Sequence, residues 1–365
     1  MATDKPKFLL AGGGTGGHLF PALAMAEALR KERPGAEFLF VGTRTKIESR
    51  VIPEQGFAFK AIWISGFQRR RIVRNILVPL KVVVSVLQSF FVIKRFKPDA
   101  VIGTGSYVCA PVLFTASLLG IPTVLHESNS YPGITTKLLA RKMTIIFAGF
   151  ESVARWLPDL KTFETVGTPT RMSLGTITRE DGCSSFGLDP SRKVVLITGG
   201  SLGAVPINTA VLRHLDQLTA LGAQLIWQTG DIDFDRVRRS IEGKSLGWVG
   251  PFIKKMPEAY AAADLIIARA GAATVAELGV VAKPVVLIPY PHAAEDHQTH
   301  NARVLEEAGA AMMIRDLELP TRFLESVTDL LRNETRRQKM TEAFRRLRRT
   351  DIGTTIALKI LKLLE

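Results

Sequence analysis

The chain has 365 residues, 46% of them hydrophobic and 22% charged, with a mean hydropathy of +0.16; these values exclude a disordered chain and suit about two globular domains. Two cysteines, Cys109 and Cys183, exclude a disulfide framework and point to a reducing compartment. The net charge of +14 points to an anionic partner.

The opening "KFLLAGGGTGGHLFPALAMAEAL" (7–29) starts with an apolar run too short for a signal peptide, which predicts a first strand. Residues 12–17 contain five glycines, and Gly12, Gly14 and Gly17 satisfy G-x-G-x-x-G. A helix-like pattern follows, with Pro21 placed in its first turn. A P-loop would need G-K-[ST], but His18 and Leu19 follow Gly17. A dinucleotide site wants an acidic residue near the end of the second strand. That strand, "AEFLFVGT" (36–43), ends in Gly42 and Thr43, with Glu37 at its start. Two readings remain. The backbone amides and helix N-terminus meet a diphosphate or a sugar, or the turn serves strand–helix packing alone.

The first 165 residues carry 22 Lys+Arg against 11 Asp+Glu; the remaining 200 carry 26 against 23. Between Gln55 and Pro98 stand nine basic residues and no acidic one. Within that stretch, "FQRRRIVRNILVPLKVVVSVLQSFFVIKRFKP" (67–98) mixes Arg69, Arg70, Arg71, Arg74 and Lys81 with aliphatic residues. Its longest uncharged run, Val82–Ile93, has twelve residues. A membrane span needs about 20, so the segment is read as a basic, apolar surface helix lying on anionic lipid. Val82–Ile93 is apolar nearly all round, which predicts mostly core packing, with membrane contact in parts of 67–80.

"DAVIGTGS", "PTVLHES" and "MTIIFAGF" continue the first half as short apolar strands, and Gly167 and Pro169 punctuate a boundary in "FETVGTPTRM" (163–172). The chain then begins again. "KVVLITGGSLGAVPINTAVLRHL" starts at Lys193, and its Gly199-Gly200 lies 186 residues after Gly13-Gly14. This second loop also lacks a lysine, and Ser201 can donate to a phosphate oxygen. "QLIWQTG", "ADLIIARAGAATVAEL" and "PVVLIPYPH" supply further strands. Short continuous apolar runs between helical patterns indicate parallel strands covered on both faces. The fold class is therefore α/β, with two parallel-sheet domains, 1–165 and 166–349. Each has a glycine turn at the carboxyl end of its first strand, which implies an interdomain cleft with phosphates along it. The closing amphipathic segment, 350–365, is expected to pack back on the first domain.

Two stretches imitate metal sites. "GDIDFD" offers Asp231, Asp233 and Asp235, with Glu242 at the twelfth position of a calcium-like loop, but Arg236 stands where that loop needs glycine. His292, His297 and His300 in "PHAAEDHQTH" do not have the spacing of one helix face. No metal or cofactor is expected. Phe67, Phe90 and Phe91 form no repeated base-stacking pattern, so no nucleic-acid partner is expected either.

Six blocks occur in one order: "GGTGGHLFPALA" (13–24), "HESNSYPG" (126–133), "VGTPTR" (166–171), "GGSLGA" (199–204), "RAGAATVAEL" (269–278) and "PHAAEDHQTHNARVLEEAGAA" (291–311). In that order and spacing the chain resembles the MurG family, the bacterial N-acetylglucosaminyltransferases that make lipid II. The resemblance spans nearly the whole chain and argues against a different glycolipid transferase or a UDP-sugar epimerase. It implies the GT-B fold, two Rossmann-like domains facing a cleft. It also implies UDP-N-acetylglucosamine as donor and undecaprenyl-diphosphate-linked muramyl-pentapeptide as acceptor. The implied place is peripheral, on the cytoplasmic face of the bacterial inner membrane.

The resemblance also assigns residues. Glu277 grips the uridine ribose, and Ala272, Ala273, Thr274, Val275 and Ala276 lead up to it on the helix that faces the diphosphate. Ser201 and Arg171 match diphosphate contacts, Ile253 the backbone contact to uracil, and Asn129 and Gln298 contacts to sugar hydroxyls. Thr15, Gly16 and Gly17 complete the donor site, while Tyr107 and His126 match the acceptor side. For the general base, His18 is the first candidate, since imidazole titrates near neutrality, and Glu127 the second. Three departures stand out. The family's common "GGYVSGP" reads "GSYVCAP" here, with Ser106, Cys109 and Ala110; "GGSQGA" has Leu202 for the glutamine; and "HEQN" has Ser128.

Overall fold

The computed structural model describes residues 5–66, 76–157, 162–170, 174–348 and 351–365. The chain divides into two compact units, Met1–Thr170 with Arg349–Glu365, and Arg171–Arg348.

The first unit contains β1 (Lys7–Ala11), α1 (Gly16–Glu32), β2 (Glu37–Gly42), α2 (Glu48–Glu54), β3 (Ala58–Ala61), α3 (Val78–Phe96) and β4 (Ala100–Gly103). It continues with α4 (Ser106–Leu118), β5 (Thr123–Glu127), α5 (Ile134–Leu139), β6 (Ile145–Ala148) and β7 (Phe163–Thr165). Its strands form one parallel sheet in the order β3-β2-β1-β4-β5-β6-β7. Phe8, Leu10, Ile102 and Phe147 pack under α1 on one face; Leu9, Val101, Leu125 and Ile146 pack under α4 on the other. Burial on both faces explains why the strands read as continuous apolar runs rather than alternations.

The second unit contains α6 (Arg179–Ser184), β8 (Val194–Thr198), α7 (Val205–Arg213), α8 (Leu215–Ala220), β9 (Gln224–Gln228), α9 (Phe234–Ser240), β10 (Gly247–Gly250) and α10 (Met256–Ala262). Then come β11 (Leu265–Ala268), α11 (Ala272–Val281), β12 (Val285–Leu287), α12 (His297–Glu307), β13 (Ala311–Met313), α13 (Leu319–Arg332) and α14 (Glu334–Leu347). The sheet order is β10-β9-β8-β11-β12-β13, again parallel throughout. The last helix, α15 (Ile352–Lys362), belongs to the first unit, where Ile356, Ala357, Ile360 and Leu361 join the core around α1.

Counted from its own first strand, each sheet begins 3-2-1-4-5-6. Strand order reverses between β1 and β4 in one unit and between β8 and β11 in the other. In open α/β sheets ligands bind outside the carboxyl ends of the strands at such a reversal. Both glycine loops lie there.

Two expectations change. The first helix starts at Gly16, so Pro21 falls in its second turn and the first turn is Gly16–Leu19. The change places His18 among the helix's opening amides. The second concerns Val82–Ile93, which is not mostly core: α3 buries only Ser85, Ser89 and Ile93. These recur every four residues and form the stripe packed toward α4. The serine hydroxyls are satisfied inside the helix, Ser85 Oγ donating to Val82 O at 2.8 Å and Ser89 Oγ to Ser85 O at 2.7 Å. The small side chains face inward, so Leu80, Val82, Val83, Leu87, Phe90 and Phe91 are left exposed. The basic residues at 69–74 lie outside the described residues.

Candidate active site

At the first reversal, the glycine loop rests on a carboxylate that sequence reasoning missed. Glu48 is fully buried. Its Oε2 accepts from Gly14 N at 2.9 Å, and its Oε1 accepts from Thr43 N at 3.0 Å and Thr43 Oγ1 at 2.7 Å. A Cβ on Gly13 would stand 2.5 Å from the Glu48 carboxyl carbon, so glycine is required there for the carboxylate to fit. The signal was a lone acid five residues beyond the end of the second strand's "GT". Thr15, exposed, precedes α1 without capping it through its side chain, and its carbonyl accepts from His18 N and Leu19 N. Gly16 and Gly17 open the helix, where backbone N–H groups point outward and favour anions.

His18 is half-buried and held at two points by Thr104, the residue after β4. Its Nδ1 lies 2.7 Å from Thr104 O, and Thr104 Oγ1 donates to His18 O at 2.6 Å. A carbonyl only accepts, so Nδ1 carries the proton in the neutral ring and Nε2 keeps its lone pair. Gly105, at φ +83°, makes room: a Cβ there would stand 3.0 Å from the imidazole. Tyr107 lies over Gly14 and Gly66. Burial, and then the nearby Glu48 charge, push its phenol upward, so it is neutral at physiological pH. Beneath it, Cys109 is buried against Ala11 O and Gly105 O, and burial pushes its thiol up to about 12.

The block around 126–136 is organised from within. His126, expected on the acceptor side, is fully buried. Its Nε2 meets Gly167 O at 2.9 Å and its Nδ1 meets Ser128 Oγ at 3.1 Å, so it pins β5 to the loop after β7 and touches no solvent. Burial drives its pKa down. Glu127, the second candidate base, is also buried, and four donors occupy its carboxylate. Oε1 accepts from Asn129 N and Nδ2, both at 3.0 Å; Oε2 accepts from Gly133 N at 3.0 Å and Thr136 Oγ1 at 2.6 Å. It is committed to shaping the loop that carries Asn129, which leaves it poorly arranged to take a proton from substrate.

At the second reversal, Ser201 and Leu202 stand exposed on the glycine turn. Gly203, at φ +74°, lets that turn close on the Thr229 carbonyl, which a Cβ would meet at 2.0 Å. Gln228, buried at the end of β9, donates to Gly200 O at 2.8 Å and accepts from Ile253 N at 2.8 Å. The helix α11 starts directly after β11. Ala272, Ala273 and Thr274 precede its first bonded amide, Val275 N to Gly271 O, so their N–H groups form an anion-favouring helix end. Glu277 is buried one turn on, with Ala276 beside it, and its Oε2 accepts from Tyr260 Oη at 3.0 Å. Buried Arg269 fixes the approach to α11 by donating to Ile288 O, Pro289 O and Asp316. Gln298 Oε1 accepts from Tyr290 N at 3.0 Å. Arg171 lies outside the described residues.

The acidic stretch 230–235 contains a structural pair. The Arg236 guanidinium beside Asp233, helped by Asn208, holds that carboxyl below its ordinary value. Among the described residues no three His, Cys, Asp or Glu side chains form a metal cluster.

Comparisons with known proteins agree on what this geometry is. Residues 8–148 match the glycosyltransferase family 28 N-terminal domain, and residues 194–356 match the glycosyltransferase family 28 C-terminal domain. The class is thus a family 28 glycosyltransferase. The UDP-N-acetylglucosamine–N-acetylmuramyl-(pentapeptide) pyrophosphoryl-undecaprenol N-acetylglucosamine transferase of Chlorobium luteolum is 43% identical, covering 98% of this chain and 99% of that protein. The same-named protein of Salinibacter ruber is 41% identical, covering 100% and 98%. The crystal structure of Acinetobacter baumannii MurG superposes with a TM-score of 0.75 at 29% identity, covering 98% of this chain and 99% of that one. The chain belongs to this family of N-acetylglucosamine transferases, the MurG family. A putative UDP-N-acetylglucosamine 2-epimerase from Listeria monocytogenes, at 13% identity and a TM-score of 0.71, shares the fold alone.

Proposed function

We propose that His18 is the general base of an inverting sugar transfer, with the nucleotide held by the second unit. The enzyme moves N-acetylglucosamine from UDP-N-acetylglucosamine to the 4-hydroxyl of undecaprenyl-diphosphate-MurNAc-pentapeptide, lipid I, and so makes lipid II for peptidoglycan. An α-linked donor gives a β-1,4 product, so one in-line displacement needs a base on the acceptor hydroxyl and stabilisation of the departing UDP.

The observation that carries this reading is the double hold of Thr104 on His18. It fixes the tautomer whose Nε2 can take the acceptor proton, at the sheet position where α/β folds bind ligands. Tyr107, neutral over Gly14, can hydrogen-bond the acceptor. Glu127 acts at one remove, by holding Asn129. In the second unit, the N–H groups of Ala272–Thr274, Ser201 and Arg171 meet the diphosphate, and Ile253 meets the uracil. Glu277 accepts from the ribose hydroxyls, with Tyr260 fixing one of its oxygens. On the same reading Gln298, Asn129, Thr15, Gly16 and Gly17 serve the sugar donor. This set stabilises the leaving group through fixed donors and a cation.

The membrane reading rests on α3 and its neighbours. No helix among the described residues is long and apolar enough to cross a membrane. The exposed Leu87, Phe90 and Phe91 adjoin exposed Lys94 and Arg95. α4 packs against both α3 and α5, and there Leu118, Ile134 and Leu138 are exposed, with Arg141 and Lys142 close by in sequence. Apolar side chains flanked by cations suit peripheral binding to an anionic leaflet, here the cytoplasmic face of the inner membrane.

The test is transfer of radiolabel from UDP-N-acetylglucosamine to lipid I in detergent, with and without EDTA. Label entering the lipid phase in EDTA supports the reading. Failure with an acceptor that another transferase uses contradicts it, and loss of transfer in EDTA alone contradicts the account of how UDP leaves.

A further inference from the structure

Gln228 is the last residue of β9 and pairs in register with Thr198, the last of β8, and Gly250, the last of β10. Its carboxamide is 1% exposed and makes three hydrogen bonds. Nε2 donates to Gly200 O at 2.8 Å and to Thr198 Oγ1 at 3.2 Å; Oε1 accepts from Ile253 N at 2.8 Å. Only this orientation works, because a carbonyl must face the amide nitrogen and an N–H must face the amide oxygen. Thr198 Oγ1 in turn accepts from Gly200 N at 3.2 Å, so the turn is held through its amide and its carbonyl. One side chain therefore joins the second glycine turn to the loop that carries Ile253.

We infer that Gln228 is a positioning residue that sets the spacing between the diphosphate edge and the base edge of the nucleotide site. The inference rests on the donor-site reading above, which gives the diphosphate to the 199–203 turn and the base to Ile253. It assigns Gln228 no contact with substrate. A ligand that spans both edges depends on their separation, whereas a ligand that uses one edge does not. Ile253 N is already engaged by Gln228, so the base meets a backbone group whose place that side chain decides. Leu202 stands exposed on the same turn and offers no amide for the task.

The experiment compares binding of UDP, UMP and uridine to the full-length wild type, Gln228→Met and Thr198→Val, with KM and kcat for transfer. Met keeps most of the volume and removes every polar atom. Thr198→Val leaves Gln228 in place, removes one of its partners, and serves if Gln228→Met does not fold. The expected result is a loss of UDP affinity of about tenfold or more in Gln228→Met, a smaller loss in Thr198→Val, and little change for uridine. KM for UDP-N-acetylglucosamine rises while kcat at saturation stays within about threefold. Equal weakening of all three ligands, or a fall in kcat with KM unchanged, would overturn the inference. Wild-type protein that binds no UDP would overturn the donor-site reading and this inference together.

Discussion

Thr104 and His18 hold each other across the strand-order reversal of the first sheet. The threonine carbonyl lies 2.7 Å from His18 Nδ1, and the threonine hydroxyl donates to the His18 carbonyl at 2.6 Å. One bond sets the ring's tautomer and the other ties the helix's first turn to β4. Gly105 leaves the ring its space. Gly105→Ala adds a Cβ 3.0 Å from the imidazole at a backbone φ of +83°. It is expected to lower kcat and to cost about 1–2 kcal/mol of stability, read by steady-state kinetics and urea unfolding. Thr104→Val leaves the carbonyl in place and should lower kcat less.

Glu127 separates a base from a positioning group. Glu127→Gln turns an NH2 toward two donors, a mismatch worth about 1–3 kcal/mol in a buried site. Urea unfolding should show that loss. If the carboxylate only shapes the loop, kcat should fall far less than in His18→Gln. A kcat lowered as much as in His18→Gln would make Glu127 the base.

His126 makes stability depend on pH. Burial lowers its folded pKa, so below about pH 6.5, the ordinary imidazole value, the unfolded chain binds more protons than the folded one. Stability is therefore greatest above that pH and falls as the pH drops through it. Half-buried His214 contributes with the same sign, its pKa also lowered by desolvation. Melting temperatures between pH 7.5 and 5.5 should fall, and less steeply in His126→Gln.

Ser106 opens α4 at φ +70°, where the family commonly has glycine. A non-glycine residue in the left-handed region costs about 1 kcal/mol or more. Ser106→Gly should therefore raise the urea midpoint. Cys109 below it, with a thiol pushed up to about 12, should resist alkylation in the folded protein and react on unfolding.

Phe91→Glu adds charge to a side chain that is 68% exposed, so the fold should be unaffected. Sedimentation with anionic vesicles should show reduced binding. Unchanged binding would remove α3 from the membrane face.

What the sequence made legible follows from where each signal arises. The central strands β1, β4, β5, β8, β9 and β11 are apolar on both faces and were readable, as were the two glycine turns. The strands that went unread, β3, β7, β10 and β13, are the four sheet edges. They are three or four residues long and only partly buried, and at that length even the apolar run 310–314 around β13 does not separate a strand from a helix end. The orientation of α3 is not legible because two of the three residues in its inward stripe are serines, and hydropathy cannot show which side of an apolar helix faces in. His18 and Glu277 could be found from motifs. Glu48, Thr104, Gln228 and Tyr260 act by meeting residues distant in the chain, and only the fold brings those partners together.

The most direct measurement is kcat and KM of His18→Gln with UDP-N-acetylglucosamine and lipid I, alongside its affinity for UDP. The account predicts a fall in kcat of about 10²–10⁴, with UDP affinity unchanged. A variant that keeps about a third or more of the wild-type kcat would contradict it, because the proton would then leave by another route.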